Sequence, residues 1–342
     1  MAPEPLVSAI VLNWNGAGVV EAAVASLLAQ TLHPIEVIVV DNASTDGSDA
    51  AVEERFAGRI SLIRNPRNLG FGAGNNVGLR AARGRFVLLL NNDAEAAPTL
   101  LEELVRAAGD DARIGMVAAK VLLHGERDVI DTTGHLLYPD GLNRGRGRLE
   151  VDRGQYDQCT TALFPSGAVG LYRRRMLDEI GLFDESFFLY GDDAELGLRG
   201  RRGGWECAFA PRAVARHHYS RSAGPYSVLK AFHVERNRVW VLLKLFPWPL
   251  VWASPFYTVA RLLWQAVGVA TGRGAAARLA GEASVLALTG IAVRAWWAAL
   301  AGVPRILGER RRLPAPPPGS TTTFYRLLDE FRLTAREVAL KD

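Results

Sequence analysis

The sequence predicts an α/β fold: a mostly parallel sheet with helices on both faces, followed by an α-helical C-terminal extension. Three observations carry this. Strand-like runs at Val7–Leu12, Glu36–Val40 and Arg85–Leu90 each end in a polar cluster. Segments of helical period separate them, the βαβ order that builds a parallel sheet. From Val239 the composition shifts to Trp, Leu, Ala and Val.

Each element has its own signal. After the first strand, Val20, Ala23, Val24, Leu27 and Leu28 fall on one helical face. Ile35–Val40 is apolar except for Glu36, as a strand buried on both faces requires. Asp46-Gly47-Ser48 offers a helix start. Ile60–Ile63 reads as a short strand, Gly70–Gly78 leads into a helix, and Arg85–Leu90 is the next strand. Pro98 suits a first helical position, with Leu101, Leu104 and Val105 at helical spacing behind it. Ile114–Leu123 reads as strand, and Gly134–Gly154, rich in Gly and Arg, as a mobile loop or hairpin. Gly167–Tyr172 is a strand with a short helix to Ile180. An acidic cluster at 192–195 and a His pair at 217–218 follow.

Ligands of open α/β sheets bind outside the carboxyl ends of the strands. The endings here are Asn13-Trp14-Asn15, the run from Asp41 to Asp46, and Asn91-Asn92-Asp93. An acid at the end of a buried apolar strand points to a metal and a phosphate-bearing substrate. The chain has 342 residues, 49% of them hydrophobic, so it can bury a full core. Its net charge is only +4. With no aromatic-interleaved basic motif, that speaks against nucleic acid and for a phosphate ligand or an anionic membrane surface. Cys159 and Cys207 form neither a metal-ligand spacing nor a disulfide scaffold, which fits a reducing cytoplasm. The N-terminus has no basic n-region and reads as a first strand, not a signal peptide.

Seven stretches carry a family resemblance. They are Val11–Gly16, Val40–Ser48, Asn68–Gly78, Asn91–Asp93, Gly181–Glu185, Tyr190–Leu196 and His217–Ser222. In this order they resemble the glycosyltransferase family 2 enzymes of the GT-A fold, and among them the bacterial rhamnosyltransferase-like members. The resemblance covers residues 7 to about 238 and implies a Rossmann-like GT-A domain. It also implies an inverting, metal-dependent sugar transfer from a nucleoside-diphosphate donor. dTDP-L-rhamnose is the favoured donor, then a UDP-sugar. A dinucleotide oxidoreductase is disfavoured, because Asn-Trp-Asn-Gly stands where Gly-x-Gly-x-x-Gly should follow the first strand. A processive synthase lacks its Gln-x-x-Arg-Trp motif here, and a non-catalytic sugar-nucleotide binder is disfavoured because Asp93 and Asp193 are both present.

The resemblance implies a role for each motif. Asp41 accepts a hydrogen bond from the base. Asn13 and Trp14 flank that base, with packing in the core the near alternative for Trp14. Asn68, Asn75 and Asn92 hold the nucleotide, while a Gly-rich turn alone also explains Asn68–Gly78. Asp93 is expected to coordinate Mg²⁺ or Mn²⁺, with Asn91 replacing the first acid of the commoner Asp-x-Asp. His217 either joins the metal or makes a structural hydrogen bond; His218 is structural. Asp193 is the expected general base, with Asp192 orienting the acceptor and Glu195 pairing with Arg199 at i+4. Trp205 stacks on an acceptor sugar or fills the core. Ser220 and Ser222 lie near phosphate.

Four segments are expected. Residues 1–110 form the nucleotide-sugar half and 111–238 the acceptor half. Residues 239–312 form an apolar, Trp-rich membrane-associating region, and 313–342 a Pro-rich linker with an amphipathic helix bearing Phe324, Leu327, Leu328 and Phe331. Pro247, Pro249 and Pro255 make 239–260 a poor spanning helix, and Arg294 weakens 283–303. Interfacial attachment at the cytoplasmic face of the membrane is favoured over spanning. A buried helical subdomain or an oligomer interface remains an alternative. A polyprenyl-linked glycan or another glycan is the expected acceptor.

Overall fold

The computed structural model describes residues 4–218, 227–282 and 285–341. The first helical and strand elements alternate as the sequence predicts: β1 (Val7–Asn13), α1 (Val20–Leu28), β2 (Ile35–Asp41), α2 (Ser48–Arg55), β3 (Ser61–Arg64), α3 (Phe71–Ala81) and β4 (Phe86–Asn91). Then come β5 (Ala94–Ala96), α4 (Leu100–Ala108), β6 (Ile114–Leu123), β7 (Ile130–Thr132), β8 (His135–Leu137), β9 (Asn143–Gly145), β10 (Val169–Arg173), α5 (Arg174–Ile180), α6 (Asp192–Arg202) and β11 (Glu206–His217). Helices complete the described chain: α7 (Val228–Leu245), α8 (Trp248–Thr271), α9 (Gly274–Glu282), α10 (Val285–Arg312), α11 (Ser320–Glu330) and α12 (Ala335–Leu340).

The main sheet has the order β3-β2-β1-β4-β10-β6-β11-β5, with β7 on β6. β1, β2, β3 and β4 pair parallel, as do β6 and β11, while β10, β5 and β7 run against them. The carboxyl ends of β1, β2, β4, β6 and β11 therefore share one edge. The apolar runs are buried along their length: Val7, Ala9, Ile10 and Val11 of β1 and Val37–Val40 of β2 form the centre. α3 lies close on β1, because a Cβ at Gly74 would meet Leu12 at 2.6 Å and one at Gly78 would meet Ile10 at 2.7 Å. The Gly-rich stretch is thus in large part a helix–sheet contact. α4 starts at Leu100, with Thr99 at its N-cap, not at Pro98. The Pro98 carbonyl instead accepts from Thr31 N–H at 2.9 Å.

The described chain splits into two compact units. One unit holds the described residues up to Gly134 and Gly145–His218; the other holds His135–Arg144 and the described residues from Ser227 onward. Residues 1–110 and most of 111–238 lie in the first unit, whereas 135–144 and the described residues from 227 to 238 belong to the second. The first part of the Gly- and Arg-rich stretch forms the β8–β9 hairpin.

In the second unit, α7 lies along α10, and Trp240 Nε1 donates to the Ala299 carbonyl at 3.1 Å. Gly302 makes room for that indole: a Cβ there would stand 2.7 Å from it. Phe324 of α11 meets Phe246 with ring centroids 4.8 Å apart, and Leu328 and Phe331 are buried. The capping box of α12 is Thr334 with Glu337. Among the described residues, no helix is long and apolar enough to cross a membrane.

Candidate active site

Polar side chains at the carboxyl edge form one connected array. Asn13 Nδ2 donates to Asp41 Oδ1 at 3.0 Å and to Ser48 Oγ at 2.9 Å, and its Oδ1 accepts from Asn92 Nδ2 at 3.1 Å. Gly16 permits this contact, since a Cβ there would lie 2.2 Å from Asn13 Oδ1. Asp41 also accepts from Ser44 Oγ at 2.6 Å and Ser44 N–H at 3.0 Å. These three bonds leave part of a carboxylate's accepting capacity for a ligand. Trp14 is 38% exposed beside this array, not a core residue.

Asn42, which sequence reasoning passed over, organises the next loop. Its Nδ2 donates to Asn68 Oδ1 at 2.9 Å and to the Gly70 carbonyl at 3.1 Å; its Oδ1 accepts from Leu69 N–H at 3.0 Å. Asn68 therefore braces the turn. Asn75 is buried and donates to the Phe71 carbonyl at 3.0 Å within α3. Gly70 sits at φ 84°, with the Phe188 carbonyl oxygen 2.3 Å from where a Cβ would stand.

Asp93 and His217 meet where β5 and β11 pair. His217 Nε2 lies 3.2 Å from Asp93 Oδ1, and its Nδ1 lies 2.8 Å from Asp131 Oδ2. Arg148 Nη1 holds the other Asp131 oxygen at 2.6 Å. Burial alone would lower the His217 pKa, but hydrogen bonds and charge from Asp131 and Asp93 outweigh it and raise it to about 10. Burial would raise the Asp93 pKa, and His217 more than reverses this. Asp93 and His217 suit a divalent ion. A carboxylate oxygen and an imidazole nitrogen 3.2 Å apart are spaced like adjacent ligands of one centre. An oxygen–nitrogen set favours Mn²⁺ over Mg²⁺. Asp131 then fixes the imidazole from behind, as carboxylates commonly do for ligating histidines. Neither Asp131 nor Arg148 was found from the sequence; the short β-prone run Ile130-Asp131-Thr132 was the available signal. Asp131→Asn is expected to weaken Mn²⁺ binding by about 10- to 100-fold. Titration followed by the spin-resonance signal of unbound Mn²⁺ measures this; unchanged affinity would remove Asp131 from the site.

A separate group lies at the ends of three neighbouring strands. His124 Nε2 is 3.3 Å from Glu95 Oε1, and the His124 and His218 rings stack at 3.7 Å. His218 N–H also donates to the Asp93 carbonyl at 2.9 Å, which ties β11 to β5.

The acidic cluster opens α6. Asp193 is half-buried; its Oδ2 accepts from Gly167 N–H at 3.1 Å and its Oδ1 from Ala194 N–H at 2.8 Å. Gly167 precedes β10, so Asp193 stands at the same carboxyl edge. Asp192 is buried, and its Oδ1 has no hydrogen-bond partner among the described residues. Burial, then the charge of Asp193, pushes its pKa up to about 8, so it holds its proton near neutrality. Glu195 and Arg199 form a bidentate pair with both contacts at 2.8 Å, as their spacing predicts. Since the folded pKa of Asp192 is raised, its ionisation destabilises the protein as pH climbs from 3.8 through about 8. Asp192→Asn is therefore expected to stabilise by several kcal/mol, on the order of 5, at pH 8 and by under about 1 kcal/mol at pH 4. Thermal melts at both values test it.

Trp205 does not join this array. It is buried at the start of β11, the end opposite His217, against Met176 beside Gly115, with Arg175 over its ring. Ser220 and Ser222 lie outside the described residues.

The model of a family described as glycosyl transferase family 2 matches residues 8–181. A Mycobacterium tuberculosis protein named N-acetylglucosaminyl-diphospho-decaprenol L-rhamnosyltransferase is 29% identical over 62% of this chain and 76% of its own length. An uncharacterized protein of Sinorhizobium fredii is 30% identical over 66% of this chain, which spans only 26% of that longer protein. Among solved structures, a Pyrobaculum calidifontis mannosyltransferase in complex with GDP-Man and Mn²⁺ superposes with a TM-score of 0.53. It is 19% identical, with 88% of each chain covered.

Proposed function

The chain belongs to glycosyl transferase family 2, with the GT-A fold, and from that premise we propose an inverting sugar transfer from a nucleoside diphosphate to an acceptor hydroxyl. One observation carries the proposal: the Asp93–His217 pair and Asp193 share the carboxyl edge of one sheet. Residues 1–110 supply the nucleotide side. Asp41, steadied by Asn13, accepts the base N3–H; Trp14 covers the base; Asn68, Asn75 and Asn92 shape the surrounding loops. Residues 111–238 supply the acceptor side.

Asp93 and His217 would hold a divalent ion, which would supply positive charge to the departing diphosphate. Asp193 takes the proton of the acceptor hydroxyl while its oxygen forms a bond to the anomeric carbon. The bond from that carbon to the diphosphate breaks on the opposite face, so the configuration inverts. Asp192, protonated, presents a donor to the acceptor instead of competing as a base. Trp205 has no part in this reading, because it is buried away from the edge.

dTDP-L-rhamnose is the donor we favour, with a UDP-sugar next, and a polyprenyl-linked glycan is the favoured acceptor. The mycobacterial relative's name supports the rhamnosyl group and the polyprenyl-linked acceptor. A polyprenyl-linked acceptor places the enzyme at the cytoplasmic face of the membrane, attached peripherally. Thermal melts with UDP, dTDP, GDP and CDP, each with and without Mn²⁺, test the reading. Metal-dependent stabilisation by dTDP or UDP is expected. Stabilisation by GDP alone, or by none of them, would overturn it.

A further inference from the structure

α8 is built inside out. Its sole charged side chain, Arg261, is 3% exposed, whereas Trp252 is 75% and Phe256 79% exposed. The exposed apolar residues Trp248, Trp252, Phe256, Val259, Leu263 and Val267 are three or four apart, so they form one stripe along the helix. α10 adds exposed Val293, Trp297 and Leu300 at the same spacing. A helix packed in water shows the reverse arrangement, apolar inward and charged outward.

The interior explains the inversion. Arg261 Nε contacts Asp140 Oδ2 at 2.7 Å and its Nη2 contacts Glu235 Oε2 at 3.1 Å. Arg238 pairs with Glu235, and Trp296 Nε1 donates to Glu235 Oε1 at 2.8 Å. These bonds fix the rotation of α8 and turn its aromatic stripe outward. Charge decides what covers the stripe. α8 contains no acidic residue, and Arg273, Arg294, Arg311 and Arg312 are exposed on or beside α8 and α10. Indole rings flanked by arginines suit the headgroup region of an anionic bilayer.

We propose that the α8 stripe, joined by Trp297 and Leu300 of α10, is a lipid-binding face that seats this unit in the interface of an anionic membrane without crossing it. This deepens the lipid-linked acceptor reading and rests on it for its purpose, though not for its physics.

The full chain is sedimented with phosphatidylcholine vesicles, with and without phosphatidylglycerol. Tryptophan emission is recorded with brominated lipid as a shallow quencher. Wild type is expected to bind anionic vesicles and be quenched, and to bind less at high salt. The exposed triple variant Trp252→Ser, Phe256→Ser, Leu263→Ser is expected to lose at least about tenfold in vesicle affinity. Arg311→Gln with Arg312→Gln is expected to lose the preference for anionic lipid. Nucleotide-dependent melting of each variant reports the transfer site separately, so loss of one reading leaves the other standing. Equal vesicle binding by the triple variant overturns the proposal. So does a lipid-free dimer that the same three substitutions dissolve.

Discussion

Asp193→Asn is expected to lower the transfer rate by about 10²- to 10⁴-fold, while nucleotide-dependent melting and donor KM stay near wild type. The geometry allows a clean substitution. The Gly167 and Ala194 N–H groups that Asp193 accepts fix its side chain, and an amide oxygen can still accept one of them. What disappears is the group that takes a proton. Its neighbour is a poor substitute, because burial already holds Asp192 protonated near neutrality. Asp192→Asn is therefore expected to change KM for the acceptor more than kcat, and so separates the two acids. Turnover within about tenfold of wild type in Asp193→Asn would remove Asp193 as the base.

Much of the edge was legible because it depends on local pattern. Apolar runs gave the strands, and β6 begins and ends where the hydrophobic run does, at Ile114 and Leu123. Polar clusters at strand ends gave the place where Asn13, Asp41 and Asn92 meet, and the acid, Asp93, that follows them. What stayed hidden depends on pairing between distant segments. Asp131 reaches His217 only because the three-residue β7 pairs with the end of β6. Asn42 reads as a turn residue until its four contacts to the Asn65–Gly70 loop are seen. The β8–β9 hairpin belongs to the helical unit through Leu137, which bonds the backbone of Phe331 and Leu333 at 2.8 and 2.9 Å. No composition window reveals such a bond.

Arg261→Met is expected to destabilise the helical unit by about 3–5 kcal/mol, because it leaves the buried carboxylates Asp140 and Glu235 with Arg238 alone to balance them. Glu235 shows how tightly the network is balanced. Burial would raise its pKa, yet Arg261 and then Arg238 hold it down at about 2, against 4.5 unperturbed. A depressed acid pKa means stability that is fully present above pH 4.5 and is lost as pH falls through about 2. The wild-type unit should therefore weaken in that acid window, and Glu235→Gln should flatten the decline. Urea unfolding at several pH values measures both. A double replacement, Arg261→Met with Asp140→Asn, should recover much of the loss, since the buried Arg238 and Glu235 then remain paired with each other. If Arg261→Met alone unfolds no earlier than wild type, the network does not hold the helices. The fixed rotation that turns Trp252 and Phe256 outward would then need another cause.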